Sequence, residues 1–220
     1  MYYDSKIIHK EWITHDVLKL KLEKPKTFQC KIGQAIELSI DILGSFKHFA
    51  PFTLTNTNED DFLEIIVKVY GEKKRLTFWL SELPLDSKII ISEAWDSYEY
   101  KGSGVFIAAG SGITPFIPMI RSLSKANMLG NNTLIYANKK QEDIILRNEL
   151  TGLLGDNFLN VLSREVTDSC LHGRIDRPFL ESRIGNKRLF FYICGPEGFN
   201  YSVKENLISL GIAEEKIQVA

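Results

Sequence analysis

Cysteine and histidine, the side chains that most often hold transition metals and iron–sulfur clusters, are scarce in this sequence of 220 residues. Its three cysteines lie far apart, at Cys30, Cys170 and Cys194, and no two of them form a Cys-x-x-Cys pair. This spacing excludes a disulfide framework and the usual zinc and iron–sulfur sites. The four histidines also lack the spacing of metal ligands. We therefore expect no metal site, and any electrons that the protein handles need a different carrier.

An excess of charge of one sign is also missing, as is any long apolar run. The 27 lysines and arginines nearly balance the 28 aspartates and glutamates, which leaves a net charge of −1 and no basic stripe for a nucleic acid. No apolar run is long enough to span a bilayer, and residues 1–12 lack the apolar core of a signal peptide. We therefore expect a cytoplasmic monomer with no nucleic-acid partner and no membrane span.

The composition, 44% hydrophobic and 25% charged, is that of a soluble globular protein, and the first half of the chain has the texture of β-strands. Up to about Tyr100, six short segments are apolar or alternate, with β-branched and aromatic residues between turn signals. They are KIIHKEWI, DVLKLKLE, QAIELSID, PFTLTN, FLEIIVKVY and SKIIISEAW. Leucines at helical spacing from Leu76 to Leu83, with Pro84 as a stop, indicate one helix among them. These patterns predict an antiparallel β-barrel.

Strands and helices alternate in the second half of the chain. After Gly102, four apolar strand-like segments are each followed by a helix-like segment, the second of which is DIILRNELTGLL at 143–154, and KIQVA closes the sequence. This order is typical of a doubly wound α/β domain with a parallel sheet. Gly102 and Gly104 flank the change of pattern. We therefore predict two domains, a β-barrel over residues 1–101 and a nucleotide-binding α/β domain over residues 102–220.

The stretch from Gly104 to Leu123 combines an apolar strand, a glycine turn and a helix. The turn is Gly110-Ser111-Gly112, and Thr114 and Pro115 suit the cap and the first position of the helix. Free amides at such a helix start, together with the helix dipole, favour a phosphate. A strand-to-helix turn that uses glycine for geometry alone is the alternative at this point.

Ligands of a doubly wound sheet bind outside the carboxyl ends of its strands. Four segments follow predicted strands and should meet at that edge: residues 110–112, 138–140, 163–164 and 194–196. Glycines, cations and a thiol would then lie together, which indicates a nucleotide crevice. Ser163 and Arg164, with Arg174 nearby in sequence, suit the 2′-phosphate of NADPH, whereas the ribose of NADH would favour a carboxylate.

Three motifs together resemble the ferredoxin–NADP reductase superfamily, in particular its flavodoxin reductase and oxygenase reductase members. They are GSGITP at 110–115, CGPEGF at 194–199 and APFTLTN at 50–56. The resemblance covers nearly the whole chain. It implies that the barrel binds FAD, or FMN, and that the α/β domain binds NADPH, or NADH.

The resemblance also implies roles for single residues. Phe52 would lie against the isoalloxazine ring, and Thr53 would hydrogen-bond near flavin N5. Cys194 would sit beside the nicotinamide C4. Thr53 and Cys194 are the two catalytic residues expected. On the residues alone, the default interpretations are that Phe52 is a core aromatic and that Cys194 is a small buried apolar residue. The flavin-binding residues expected are Phe52, Thr53, Leu54, Lys74, Arg75, Leu76 and Thr77. The nucleotide-binding residues expected are Gly110, Ser111, Gly112, Ile113, Thr114, Pro115, Ser163, Arg164, Arg174, Cys194, Gly195 and Pro196.

The flavin-binding motif departs from the family pattern, because Ala50 stands where the motif usually has arginine. The cations Lys73, Lys74 and Arg75, just ahead of Thr77, are expected to compensate the flavin phosphate. A docking patch for an acidic carrier and a solvated loop are the other interpretations of this run.

By resemblance, the expected function is transfer of electrons from NADPH through the flavin to a separate carrier. That carrier would be a flavodoxin, a ferredoxin or an oxygenase component, since the chain has no cluster-binding cysteines of its own. Two other classes stay open: an electron-transfer subunit that works only inside a larger complex, and a non-catalytic nucleotide-binding relic of the fold.

Overall fold

The computed structural model describes residues 1–40, 49–71, 75–96 and 98–219. The chain divides into two compact units, the first built mainly from Met1–Glu99 and the second mainly from Tyr100 onward. This division lies close to the boundary expected at residues 101 and 102, which stays a prediction.

The described part of the first unit contains seven strands and one helix. They are β1 (Tyr2–Trp12), β2 (Val17–Glu23), β3 (Gln34–Ile40), β4 (Ala50–Thr53), β5 (Phe62–Lys68), α1 (Leu76–Glu82), β6 (Lys88–Ser92) and β7 (Trp95–Asp96). The strand order is β4-β3-β6-β1-β2-β5, with β7 also paired to β3. A bridge between Leu54 and Ile65 joins the two ends of this order, so the sheet is a nearly closed antiparallel barrel. The fold expected for this half is confirmed, and β7 is additional.

Alternation of side chains explains why these segments form a barrel wall. In β2, Leu18, Leu20 and Leu22 are fully buried, whereas Lys19 and Lys21 between them keep part of their surface exposed. Lys19 pairs with Glu11 at 2.6 Å on the outer face. Each strand therefore gives one apolar face to the core, and that burial drives the barrel to form.

Helix α1 packs on the barrel as the leucine spacing predicts. Leu80 is fully buried, and Leu76 and Leu83 contact the barrel core. The helix ends at Glu82, and Leu83 is extended, because the residue before Pro84 is sterically excluded from the helical conformation.

The second unit is a parallel sheet with helices between its strands. Its elements are β8 (Gly104–Ala109), α2 (Phe116–Lys125), β9 (Thr133–Asn138), α3 (Arg147–Leu154), β10 (Phe158–Leu162), β11 (Leu171–His172), α4 (Arg177–Arg183), β12 (Phe190–Cys194), α5 (Glu197–Ser209) and β13 (Ile217–Val219). The strand order is β11-β10-β9-β8-β12-β13, and all pairs are parallel. The doubly wound fold is confirmed.

The central strands are buried on both faces, as parallel strands covered by helices must be. Phe106, Tyr136 and Tyr192 are fully buried, and the rings of Phe106 and Tyr192 stack with centroids 4.9 Å apart. The Tyr192 hydroxyl donates to the Gly102 carbonyl at 2.7 Å and accepts from the Lys101 amide at 2.9 Å. Its polar group is therefore satisfied inside the domain.

Two local features of this domain differ from the sequence pattern. A helix was expected over DIILRNELTGLL at 143–154, but α3 begins only at Arg147, because Leu146 is left-handed with φ 52°. A helix cannot continue through such a residue. The short strand β11 was not expected either, since two residues carry no periodicity.

Candidate functional site

The strand order of the α/β domain reverses direction next to β8. From β8 the chain moves outward through β9 and β10, and then returns to the other side of β8 as β12. The carboxyl ends of β8 and β12 therefore flank the point at which doubly wound sheets bind ligands. Two of the expected segments lie there, Gly110-Ser111-Gly112 after β8 and Cys194-Gly195-Pro196 after β12.

The turn after β8 is a short 3₁₀ helix over Gly110–Ile113 rather than an open loop. Gly110 has φ +54°, a conformation that favours glycine, and a side chain built there would meet nothing within 4 Å. The Tyr136 hydroxyl donates to the Gly110 carbonyl at 2.8 Å and anchors the turn on β9. Gly110 therefore offers backbone on an open side of the turn.

Thr114 does not cap α2 as expected. Pro115 takes the cap position, without a side-chain hydrogen bond, and the helix begins at Phe116. The Thr114 hydroxyl instead donates backwards to the Ser111 carbonyl at 3.1 Å. The 3₁₀ turn places that carbonyl within reach, so the Thr114 side chain stabilises the turn and does not cap the helix.

Gly112 lies against the turn that follows β12. A Cβ at Gly112 would lie 2.3 Å from the Cys194 carbonyl oxygen and 2.7 Å from Gly195 Cα. The missing side chain faces the neighbouring turn and not open space. Gly112 therefore lets the two ligand-flanking turns touch through their backbones. A phosphate contact at the amides of the Gly110-Ser111-Gly112 turn stays a prediction.

Cys194, at the end of β12, has an electrically neutral thiol over the physiological pH range. Burial raises its pKa to about 11, because the low-dielectric surroundings disfavour the thiolate. A nucleophilic or metal-binding role needs the thiolate. The residue can therefore contact a ligand only as a polarizable neutral group, and its expected catalytic role beside the nicotinamide stays a prediction.

Cations meet beyond the ends of β9 and β10. The Ser163 amide donates to the Asn138 carbonyl at 3.0 Å, and the Arg164 amide donates to the Lys139 carbonyl at 2.9 Å. These bonds bring together the two strand ends, as predicted. Beside them lies a cavity of about 420 Å³ that is lined by Lys140, Gln141, Glu142, Arg147, Arg164 and Glu165.

Arg147 is the cation of this cavity that the sequence did not indicate. It is the first residue of α3, and its guanidinium donates to the Ser169 hydroxyl at 2.9 Å. The Glu165 carboxylate in turn accepts from the Gln141 amide at 2.6 Å. Arg174, which was expected here, is exposed beyond β11 and does not line the cavity. The helical pattern over residues 143–154 places Arg147 inside a helix, so the sequence carries no signal that this residue reaches the site.

A second cavity, of about 690 Å³, lies beside the turn after β12. It is lined by Gly195, Glu197, Gly198, Asn200, Tyr201 and Val219. Gly195 is tightly placed, since a Cβ there would lie 2.7 Å from the Phe199 ring. The turn that carries Cys194 therefore borders open volume next to the start of α5.

In the barrel, β4 presents the residues expected to contact a flavin. Phe52 is half-buried, pairs with Ile36 and packs against the barrel core. This contact is the one expected of a core aromatic, and its flavin role stays a prediction. Thr53 is also half-buried, and no described residue exchanges a hydrogen bond with its hydroxyl.

Two expected binding residues direct their side chains into the protein. Leu54 is 2% exposed within the barrel core, and Ile113 is fully buried. Only their backbone groups are left for a ligand. A motif aligned by sequence cannot separate these two cases, because the core and the ligand both favour apolar residues.

The start of α1 is described only in part. Lys74 lies outside the described residues, as does Lys73, whereas Arg75 is exposed at the N-cap position of α1. Leu76 packs on the barrel core. The Thr77 hydroxyl is enclosed and has no hydrogen-bond partner among the described residues. A phosphate contact from Thr77 would therefore require rotation of this side chain, and the role stays a prediction.

Among the described residues, no cluster of histidine, cysteine, aspartate and glutamate could hold a metal ion. Over the same ranges, no helix has the length and apolar character needed to cross a membrane.

Family models match both halves of the chain. The FAD-binding domain family matches residues 3–89, and the oxidoreductase NAD-binding domain family matches residues 106–205. The two matches follow each other in the order of the barrel and the α/β domain.

Curated relatives differ in how much of their own length is matched. NADH-cytochrome b5 reductase 1 of Candida glabrata is 25% identical over 239 residues, which cover 98% of this chain and 81% of that protein. A nitrate reductase [NADPH] of Beauveria bassiana is 27% identical over 188 residues, which cover 71% of this chain but only 21% of that protein. The chain thus matches a small part of some relatives and most of others.

A solved structure extends the match to the whole fold. A ferredoxin NADP+ reductase from Neisseria gonorrhoeae with bound FAD and NADP superposes with a TM-score of 0.87 at 18% identity, covering 100% of this chain and 98% of that one.

FAD and NAD(P)H fit the residues described here. The Thr53 hydroxyl, which has no hydrogen-bond partner among the described residues, offers a hydrogen bond on β4. The open side of Gly110 and the cations Arg147 and Arg164 suit an anionic nucleotide. With an FAD-binding barrel followed by an NAD-binding α/β domain, the chain belongs to the ferredoxin–NADP reductase superfamily.

Proposed function

We propose that this protein passes electrons from NADPH through FAD to a separate one-electron carrier protein. The observation that carries the proposal is the succession, in one chain, of an FAD-binding match over residues 3–89 and an NAD-binding match over residues 106–205. A bound FAD would accept a hydride equivalent from the nicotinamide and release its two electrons one at a time.

The chain's own residues bind and orient rather than donate protons. The Thr53 hydroxyl supplies a hydrogen bond to the flavin near N5. The neutral Cys194 thiol contacts the nicotinamide at the β12 turn, where burial keeps the pKa of that thiol near 11. Gly110 presents open backbone to the pyrophosphate. None of these roles needs a general acid or base.

NADPH is favoured over NADH by the charge around the 420 Å³ cavity. Three cations, Lys140, Arg147 and Arg164, face two carboxylates, Glu142 and Glu165. Lys140 and Glu142 are paired with each other at 3.2 Å, which leaves two arginines against one carboxylate. A 2′-phosphate matches this balance better than a bare ribose does.

An iron–sulfur acceptor would lie outside these 220 residues, because they contain no cysteine set that could hold a cluster. The three cysteines are free and far apart in sequence. A flavodoxin, a ferredoxin or an oxygenase component would suit, and the name of the Candida glabrata relative adds the haem protein cytochrome b5. We propose a small one-electron carrier, whose class an assay with each type in turn would identify.

The test is anaerobic and uses purified protein reconstituted with FAD. NADPH should bleach the visible flavin band, and adding an oxidised carrier should restore it. Flavin that NADPH does not bleach would contradict the proposal.

A second function is favoured by the nitrate reductase alignment, in which the chain corresponds to 21% of a longer protein. The protein would then be an electron-transfer part of a larger assembly. Bleaching by NADPH only in the presence of a partner subunit would support this function, and failure to bind FAD at saturation would point to a non-catalytic relic.

A further inference from the structure

A tryptophan on the barrel carries an inference about the flavin site, and this inference rests on the proposed function. Trp95 lies in the short strand β7, and Ala35 of β3 pairs with Trp95 on one side and with Thr53 of β4 on the other. Directly opposed residues of antiparallel strands point to the same face of a sheet. Thr53, Ala35 and Trp95 therefore form a row across three strands.

This row lies on the outer face of the barrel wall. Ile36 and Leu38 of β3 are fully buried members of the barrel core. Successive residues of a strand point to opposite faces, so Ala35 and its two partners point away from that core. Neighbouring strands are about 4.8 Å apart, which puts the backbones of Thr53 and Trp95 about 10 Å apart. Ala35 itself is only 2% exposed, so the surface that this row offers to a ligand lies at its two ends, Thr53 and Trp95.

Both ends of the row lack partners within the described ranges. Trp95 is 43% exposed, and no described residue stacks on its indole or hydrogen-bonds with it. The hydroxyl of Thr53 also has no hydrogen-bond partner among the described residues. Phe52, the neighbour of Thr53, pairs with Ile36 and packs against the core. An aromatic surface on the outer face of this row must therefore come from Trp95.

The backbone around Trp95 is nevertheless held in place. The Gln34 side-chain amide donates to the Asp96 carboxylate at 2.9 Å, and the Tyr98 amide donates to the Gly33 carbonyl at 2.9 Å. A large aromatic side chain on a fixed backbone can bind a planar ligand with little loss of conformational entropy.

We propose that Trp95 contacts the isoalloxazine ring of FAD, with Thr53 at the N5 side of the same ring. Trp95 then contributes to flavin affinity through ring contact. It also places an electron-rich indole against the flavin. Such contact quenches flavin fluorescence by electron transfer from the indole, which a phenyl ring does not do.

The experiment compares FAD bound to the wild type, to Trp95→Phe and to Trp95→Leu. Emission per bound flavin should be low in the wild type and rise several-fold in both variants, because both remove the electron donor. FAD affinity should fall in Trp95→Leu and stay near the wild-type value in Trp95→Phe, which keeps a ring. Trp12→Leu is the matched control, since Trp12 is 53% exposed on β1, and it should change neither quantity.

Two outcomes would overturn the proposal, and only one of them would also overturn the proposed function. Unchanged emission and affinity in both Trp95 variants, in a wild type that binds FAD, would remove Trp95 from the flavin site and leave the proposed function intact. A wild type that binds no FAD at saturation would overturn the proposed function and this inference together. Far-ultraviolet circular dichroism of each variant shows whether it is folded, and Trp95→Phe decides the question if Trp95→Leu does not fold.

Discussion

The thiol of Cys194 links a buried position to the pH dependence of stability. Its pKa is raised from 9.0 to about 11 by burial, so the folded protein keeps this proton to a higher pH than the unfolded chain does. Below about pH 9 both states are protonated and there is no penalty. Between about pH 9 and 11 only the unfolded state ionises, so the free energy of unfolding falls, by about 2–3 kcal/mol over the whole range.

Cys194→Ala removes this group, so its stability should decline less steeply with pH. Denaturant unfolding at about pH 8 and about pH 10.5 should give a loss smaller by about 2 kcal/mol than in the wild type. Cys170→Ala is the control, because it keeps the Cys194 thiol and should retain the wild-type pH dependence. Equal losses in all three proteins would mean that the Cys194 thiol ionises normally.

Gly112 is the second position at which a single residue decides local structure. Gly112→Ala would press a methyl group against the Cys194 carbonyl, and overpacking of this kind costs about 1–3 kcal/mol. We expect a lower melting temperature and weaker NADPH binding, with FAD binding in the barrel retained. Differential scanning calorimetry and nucleotide titration measure these quantities.

Gly152 provides the matched control for that substitution. It lies within α3, and a Cβ there would meet nothing within 4 Å. Gly152→Ala should therefore stabilise the protein by about 0.5–1 kcal/mol, as alanine does in a helix interior. Wild-type stability and nucleotide affinity in Gly112→Ala would contradict the contact between the two turns.

At the scale of elements, the start of α3 carries Arg147, which we expect to determine the preference for NADPH over NADH. Arg147→Ala should lower kcat/KM for NADPH by about tenfold, the effect of losing one charge-assisted hydrogen bond, while kcat/KM for NADH stays within about twofold. Arg174→Ala is the control, because Arg174 does not line the cavity. An Arg147→Ala enzyme with undiminished NADPH preference, or a wild type that prefers NADH, would contradict the assignment.

The loop before α1 gives a prediction about salt. Lys73 and Lys74 lie outside the described residues, and Arg75 is exposed. Because Ala50 supplies no charge, we expect these cations to hold the flavin phosphate, each contributing about 1 kcal/mol or roughly fivefold in affinity. Replacing all three by alanine should weaken FAD binding at low salt and flatten its salt dependence. FAD affinity and salt dependence equal to those of the wild type would assign the loop to carrier docking or to solvent.

The elements with a strong repeating pattern were predictable from the sequence. In β2, leucines at positions 18, 20 and 22 alternate with lysines. A β-strand with one face on the core buries these leucines and leaves the lysines in water. The start of α3 was not predictable, because the pattern of residues 143–154 favours a helix throughout and carries no signal of the left-handed Leu146. Arg147 is the first residue of α3 and lines the cavity, a position that the longer predicted helix does not indicate.

At the scale of the whole molecule, the FAD-binding match and the NAD-binding match follow each other along the chain. The second corresponds to the proposed electron donor, NADPH, and the first to the proposed acceptor, FAD. The central claim is that the protein itself moves electrons from NADPH into bound FAD. The direct measurement is an anaerobic stopped-flow record of the visible flavin band after NADPH is mixed with FAD-reconstituted protein. We predict bleaching that saturates with NADPH and that is faster with NADPH than with NADH. A flavin band that persists in FAD-saturated protein at saturating NADPH, with no partner present, would contradict the claim.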